Sequence, residues 1–179
     1  MTKDCFDRLG LPRRFPLDRA ELERAYLAHS RLIHPDYHAS SASADQVASL
    51  ELSAEVNQAY NILRDPFTRA DHLLTLEGGP SASEFKQVPQ AFLAEMLELR
   101  ERLEEAKSTG TSSSPAVSQL AEEFATRTET VLGDVAKLFT QHETLATDDT
   151  NRVGIRTRIR GLLNAANYLR GLVRDLEAD

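Results

Sequence analysis

Apolar residues in this chain recur at helical spacing from end to end, and no stretch alternates with period two for long enough to make a strand. That property restricts the fold to packed helices, and prolines and glycines set where each helix stops. Cys5 to Gly10 reads as a short first element, with Phe6 and Leu9 three apart and Gly10 as the stop. Asp18 is an N-cap, and Glu21 three residues later makes a capping-box-like pair. Leu22, Tyr26, His29 and Ile33 then share one stripe of a helix over 18–33. Pro35 ends it, because the residue before a proline is pushed out of the helical region. A longer helix over 43–63 carries Leu52, Val56, Ala59, Tyr60 and Leu63 on one side. Asp65-Pro66 breaks the chain and starts a short helix whose inner side is Phe67, Ala70, Leu73 and Leu74. Gly78-Gly79-Pro80 closes that segment.

Residues 80–88 have the composition of a linker. Three further helical patterns follow. The first, over 89–107, holds Phe92, Met96, Leu99 and Leu103. The second holds Val117, Leu120, Phe124, Val131, Val135 and Leu138. The third, capped by Asp148 or Asp149, holds Ile155, Ile159, Leu162, Ala166, Leu169, Val173 and Leu176. A Ser/Thr-rich turn over 108–115 separates the first two. Apolar stripes joined by short connections pack as an antiparallel bundle. The expected architecture is all-α: a helical hairpin with short flanking helices over 1–79, a linker over 80–88 and a three-helix bundle over 89–179.

Charge and cysteine usage exclude several classes. With 21 Lys and Arg against 28 Asp and Glu, the net charge is −7 and both signs run throughout. Neutralising nucleic-acid phosphates needs clustered cations, so no nucleic-acid partner is expected. No apolar run approaches the roughly 20 residues of a membrane span. The first residues lack an apolar signal core, and the one cysteine, Cys5, excludes an internal disulfide framework. A cytoplasmic protein is expected. No phosphate loop, nucleophile elbow or dinucleotide fingerprint is present, so no enzyme is expected. His29, His34, Asp36 and His38 are dense in metal-ligating groups, and the enzyme alternative is a small hydrolase using the last three. Against it, His29 belongs to an inward stripe, where it is expected half-buried and neutral. His34 and His38 flank a stiff turn, and no HExxH register exists. No metal and no cofactor are expected.

Two features carry binding chemistry. His34-Pro35-Asp36 sits between the two long N-terminal helices. Proline stiffens the connection, and Asp36 can accept a paired hydrogen bond from a partner arginine. The same three residues also read as helix punctuation, a histidine favourable to the helix C-terminus followed by a terminator and a turn residue. The second feature is a surplus apolar stripe on the 89–107 helix, where Leu93 and Leu97 run into Arg100, Glu101, Glu104 and Glu105. It reads either as a wider buried face or as a partner surface with an apolar centre and a polar rim.

Tyr26 eight residues before His34-Pro35-Asp36, then Asn57-Gln58-Ala59-Tyr60 and Leu63-Arg64-Asp65-Pro66, resembles a J-domain. Arg69-Ala70-Asp71-His72-Leu73-Leu74 is similar to the HscB branch of iron–sulfur co-chaperones. The run from Ala91 through Phe92, Leu93, Ala94, Glu95, Met96, Leu97, Glu98, Leu99 and Arg100 to Glu101 resembles that family's client-binding helix. The resemblance implies that His34, Pro35 and Asp36, flanked by Arg24 and Arg31, dock on a DnaK/HscA-class ATPase and stimulate it. It also implies that Leu93, Ala94, Leu97, Glu98, Arg100, Glu101 and Glu105, with Tyr168 from the last helix, bind an IscU-type scaffold protein. Tyr168 reads equally as a core-edge residue. The alternative is a J-domain co-chaperone for a different client.

Several positions depart from the family pattern. Tyr37 stands where lysine is usual, Ala94 where a larger apolar residue is frequent, and Leu27 and Ala28 where cations are frequent. The outer face of the 18–33 helix offers Arg19, Arg24 and Arg31 against Glu21 and Glu23. Weaker charge steering of the chaperone contact is therefore expected.

Overall fold

The computed structural model describes residues 3–33, 43–109 and 115–177, among which there are seven helices and no strand. The chain divides into two compact units, Met1–Leu73 and Leu74–Asp179.

In the first unit, α1 (Cys5–Leu9) is capped by Asp4, whose Oδ1 accepts from the N–H groups of Phe6 at 2.8 Å and Asp7 at 3.0 Å. It stops at Gly10, whose φ of 63° is left-handed. Phe6 and Leu9 are buried, and Arg8 forms an ion pair with Glu55. The next two helices, α2 (Arg19–Leu32) and α3 (Ser43–Arg64), run antiparallel. Tyr26 meets Asn57 and Tyr60 at one end of the hairpin, and Ile33 meets Ser49 at the other.

Two details differ from expectation. Asp18 caps α2 through Ala20 N–H at 2.8 Å, but the carboxylate of Glu21 turns to Arg14 at 3.3 Å rather than closing a capping box. Leu52, expected inside, is 48% exposed. The inner row of α3 instead runs Ser49, Val56, Ala59 and Leu63. A serine takes the place because a helix end needs donors for its last carbonyls, and Ser49 Oγ donates to Ile33 O at 2.6 Å.

Helix α4 (Pro66–Leu76) starts at Asp65, whose Oδ1 accepts from Phe67 N–H at 3.0 Å. Arg69 donates to Leu63 O at 2.7 Å and lies over the Phe15 ring at 5.2 Å. His72 stacks on Phe6, and its Nε2 accepts from Cys5 N–H at 3.3 Å. The arginine and histidine of the Arg69–Leu74 motif thus have structural work: one caps the end of α3, the other the start of α1. Burial is the main reason that both side chains titrate below their ordinary values.

The second unit contains α5 (Gln90–Thr109), α6 (Pro115–Thr144) and α7 (Asn151–Glu177). Glu95 pairs with Arg127 and Arg102 with Glu123, so α5 and α6 are antiparallel. The core takes Phe92, Leu99 and Leu103 from α5, Phe124, Val135 and Phe139 from α6, and Ile159, Leu163 and Leu169 from α7. Asp149 caps α7 by accepting from Asn151 N–H at 2.8 Å.

On α7 Ile159, Ala166, Leu169 and Leu176 are buried as expected, but at two positions the buried row differs by one residue from the stripe. Leu163 and Leu172 are buried, whereas Leu162 and Val173 are half-buried. Leu162 turns instead to a cleft of about 330 Å³ shared with Phe85, Val88 and Pro89. Residues 80–88 are fastened to α7. Arg160 Nε donates to Pro80 O at 2.8 Å, and Asn164 Nδ2 donates to Phe85 O at 2.8 Å and Gln87 O at 2.9 Å. Composition alone does not show those three carbonyl contacts.

Candidate protein-docking surfaces

His34, Pro35 and Asp36 lie outside the described residues, as do Tyr37 and His38. The helices on either side of them are described. The Tyr26 hydroxyl donates to Asn57 Oδ1 at 2.8 Å, and its ring stacks on Tyr60 with centroids 4.2 Å apart. Tyr26 and the Asn57-Gln58-Ala59-Tyr60 run, read from sequence as parts of one motif, are therefore in direct contact across the hairpin. Ser49, which sequence reasoning did not single out, secures Ile33, the residue next to His34. Arg24 and Arg31 are exposed on α2, as are Leu27 and Ala28. His29 is half-buried beside Gly10.

The second surface is on α5. Periodicity places Phe92, Met96, Leu99 and Leu103 inward; Phe92, Leu99 and Leu103 are buried and Met96 is half-buried. Leu93 is 55% exposed and Leu97 65% exposed, so the second stripe is not an extension of the buried face. Ala94, Glu98, Arg100, Glu101 and Glu105 are exposed around it. The result is an apolar strip with a charged border, the composition of a protein contact.

Tyr168 is half-buried at the seam of α5 and α7. Its hydroxyl donates to Met96 O at 3.3 Å, and its ring meets Phe92 edge-on at 6.1 Å. It therefore braces α5 from behind the exposed leucines. Among the described residues no cluster of His, Cys, Asp and Glu is arranged to hold a metal ion. No described helix is long and apolar enough to cross a membrane.

Residues 88–159 match the family model of the HSCB C-terminal oligomerisation domain. The chain is similar in structure to the chaperone HscB from Vibrio cholerae, with a TM-score of 0.71 and 26% identity over 98% of this chain and 96% of that one. It is also similar to the human co-chaperone protein HscB, with a TM-score of 0.78 and 23% identity over 99% of this chain and 82% of that one. The chain therefore carries an HscB-type C-terminal domain over residues 88–159 and shares the fold of HscB co-chaperones along nearly its whole length.

Proposed function

We propose that this chain is a cytoplasmic J-domain co-chaperone that stimulates a DnaK/HscA-class ATPase and delivers an IscU-type iron–sulfur scaffold protein to it for cluster transfer. Residues 1–79 serve as the J-domain, 80–88 join the parts, and 89–179 bind the client. His34, Pro35 and Asp36 contact the ATPase, with Asp36 accepting paired hydrogen bonds from a partner arginine. Arg24 and Arg31 add charge attraction along α2. Leu93, Ala94, Leu97, Glu98, Arg100, Glu101 and Glu105, braced by Tyr168, form the scaffold contact. The chain contributes no reaction of its own; its effect is to bring two proteins together.

The observation that carries this reading is the exposure of Leu93 and Leu97 on a helix that already buries Phe92, Leu99 and Leu103. A two-leucine strip in water costs solubility, and a partner that covers it removes about 1–2 kcal/mol per side chain from the bound state. Calorimetric titration against the organism's own iron–sulfur scaffold protein tests it. Leu93→Ala with Leu97→Ala, about 2–4 kcal/mol together, weakens binding about 30–900-fold on those magnitudes. Wild-type affinity in the double variant sinks the α5 assignment. Separately, His34→Gln in a folded chain abolishes ATPase stimulation, and retained stimulation removes the docking role of the tripeptide.

A further inference from the structure

Helices α5 and α7 run parallel, and beyond Tyr168 a groove of about 290 Å³ opens between them. Arg100 and Glu104 line it from α5, and Gly171, Arg174 and Asp175 from α7. It continues the exposed strip directly, since Leu93, Leu97, Arg100 and Glu104 lie at i, i+4, i+7 and i+11 of one helix face.

Gly171 is unusual at this point. It lies inside α7 and has no left-handed backbone to justify it. A glycine in a helix interior costs about 0.5–1 kcal/mol relative to alanine. Space does not require it either: a Cβ there meets only Arg174 Nη2, at an ordinary 3.9 Å. Its missing side chain leaves the groove wall bare beside the Arg174 guanidinium, which lies back over the helix near Gly171, one turn before its own Cα, towards the level of Arg100. Neither Arg100 nor Arg174 makes an ion pair among the described residues. Glu104 stands a turn beyond Arg100 and Asp175 one residue beyond Arg174, so the cations lie at the end nearer the leucines.

We propose that the client contact extends from Leu93 and Leu97 into this groove, where Arg174 and Arg100 together receive a carboxylate side chain of the scaffold protein across the space left by Gly171. The inference rests on the scaffold contact proposed above and deepens it. Arg174 and Gly171 become specificity-determining residues. The guanidiniums select a client that presents an acidic residue beside its apolar contact, and Glu104 and Asp175 reject one whose carboxylate is displaced by a turn. Guanidinium–carboxylate pairing supplies the directional part of the contact, and the leucines supply the apolar part.

The test is calorimetric titration of the full chain with the organism's iron–sulfur scaffold protein, using Gly171→Met, Arg174→Glu, Arg174→Lys and, in parallel, Leu97→Ala. Gly171→Met fills the groove with a better helix former, so its melting temperature stays at or above wild type while its Kd rises roughly tenfold or more. Arg174→Glu also raises Kd at least tenfold, whereas Arg174→Lys keeps part of the affinity, and the Arg174→Glu loss shrinks at high salt. If Leu97→Ala weakens binding while Gly171→Met and Arg174→Glu bind as wild type, the groove assignment is overturned and the leucine contact stands. If the groove variants weaken binding and Leu97→Ala does not, the groove is supported and the leucine reading fails. If all variants match wild type, both fall. Should Gly171→Met fail to fold, Arg174→Glu alone decides.

Discussion

Arg127 and Glu95 face each other across α5 and α6 as two parallel forks, Nε to Oε1 at 2.6 Å and Nη2 to Oε2 at 2.7 Å. Arg102 and Glu123 repeat the arrangement at 2.6 and 2.7 Å with the charges exchanged between the helices. A slip of α5 by a turn in one direction would bring Glu95 towards Glu123, and a slip in the other direction would bring Arg102 towards Arg127. The two forks therefore fix register. Their contribution to stability is modest because the side chains are partly exposed, about 0.2–1 kcal/mol each. Truncating both arginines to alanine lowers the melting temperature by about 2–6 °C, and high salt narrows the gap to wild type. Because α5 carries Leu93 and Leu97, scaffold affinity also falls in the double variant. A melting temperature and affinity both equal to wild type would show that apolar packing alone seats α5.

Ser49 is a buried hydroxyl with one evident task, the 2.6 Å hydrogen bond to Ile33 O. Ile33 is the C-cap of α2 and immediately precedes His34. Ser53 reaches the same carbonyl only at 3.5 Å, too long to replace it. Ser49→Ala leaves that carbonyl poorly satisfied, at a cost of about 1 kcal/mol. The expected outcome is a folded chain with reduced ATPase stimulation, unchanged scaffold affinity, and recovery of stimulation in Ser49→Thr. Full stimulation by Ser49→Ala would mean that the tripeptide is positioned without help from α3.

The same hairpin shows what the sequence reveals and what it withholds. Apolar spacing locates most of the helices to within a residue or two, because burial of one face is a property of the helix alone, although α6 runs six residues past Leu138, the last residue of its expected stripe. Val56, Ala59 and Leu63 are inside as their spacing requires, and Gly10 stops α1. Leu52 matches the same spacing yet is exposed. Its neighbourhood is settled by a partner outside its own helix, the end of α2, which takes the hydroxyl of Ser49 in place of an apolar side chain. Leu162 and Leu163 illustrate the same limit, since both lie within the broad inner arc of α7 and the 85–89 segment determines which one turns to the cleft. On α5 periodicity left two readings of Leu93 and Leu97, and only the packed neighbours decide that the pair stays in water. The α5–α7 groove has no linear signature, because Arg100 and Arg174 belong to helices separated by the whole of α6.

Two histidines, His142 buried and His72 half-buried, give stability an acid limit. His72 accepts from Cys5 N–H, and His142 accepts from Arg152 Nε at 3.1 Å. Burial is the largest cause holding both below the ordinary value of 6.5. Arg152 and Arg156 add to it at His142 against Glu77, and Arg13 adds to it at His72 against Asp4 and Asp71. The folded chain therefore binds fewer protons than the unfolded chain once pH falls under the unfolded value. The stability these groups contribute is complete above about pH 6.5 and is lost as pH falls through it towards the lowered folded values. Thermal melting should decline over that window. His72→Gln and His142→Gln keep an acceptor but do not titrate, so each flattens the decline. Equal slopes in wild type and both variants would place the acid limit elsewhere.

Helix α4 ends in a turn whose two glycines have different reasons to be there. Gly78 has a φ of 71°, its N–H donates to Thr75 O at 3.0 Å, and Gly79 N–H donates to Leu74 O at 2.8 Å, which is a Schellman closure. Gly78→Ala forces an L side chain into the left-handed region, about 1–2 kcal/mol. Gly79 has no such backbone, yet a Cβ there would lie 2.3 Å from Leu74 Cδ1 and 3.0 Å from Leu74 O. Leu74 is fully buried and cannot swing away freely. The turn cannot shift easily either, since Glu77 O accepts from Arg156 at 2.5 Å and the Glu77 carboxylate accepts from Arg152 at 3.1 Å. Gly79→Ala should therefore lower the melting temperature more than Gly78→Ala, against the expectation from backbone angle alone. Adding Leu74→Ala should make the Gly79→Ala penalty smaller than in the wild-type background, a coupling that only direct contact produces. Equal penalties in both backgrounds would show that the turn yields and that Leu74 does not confine it.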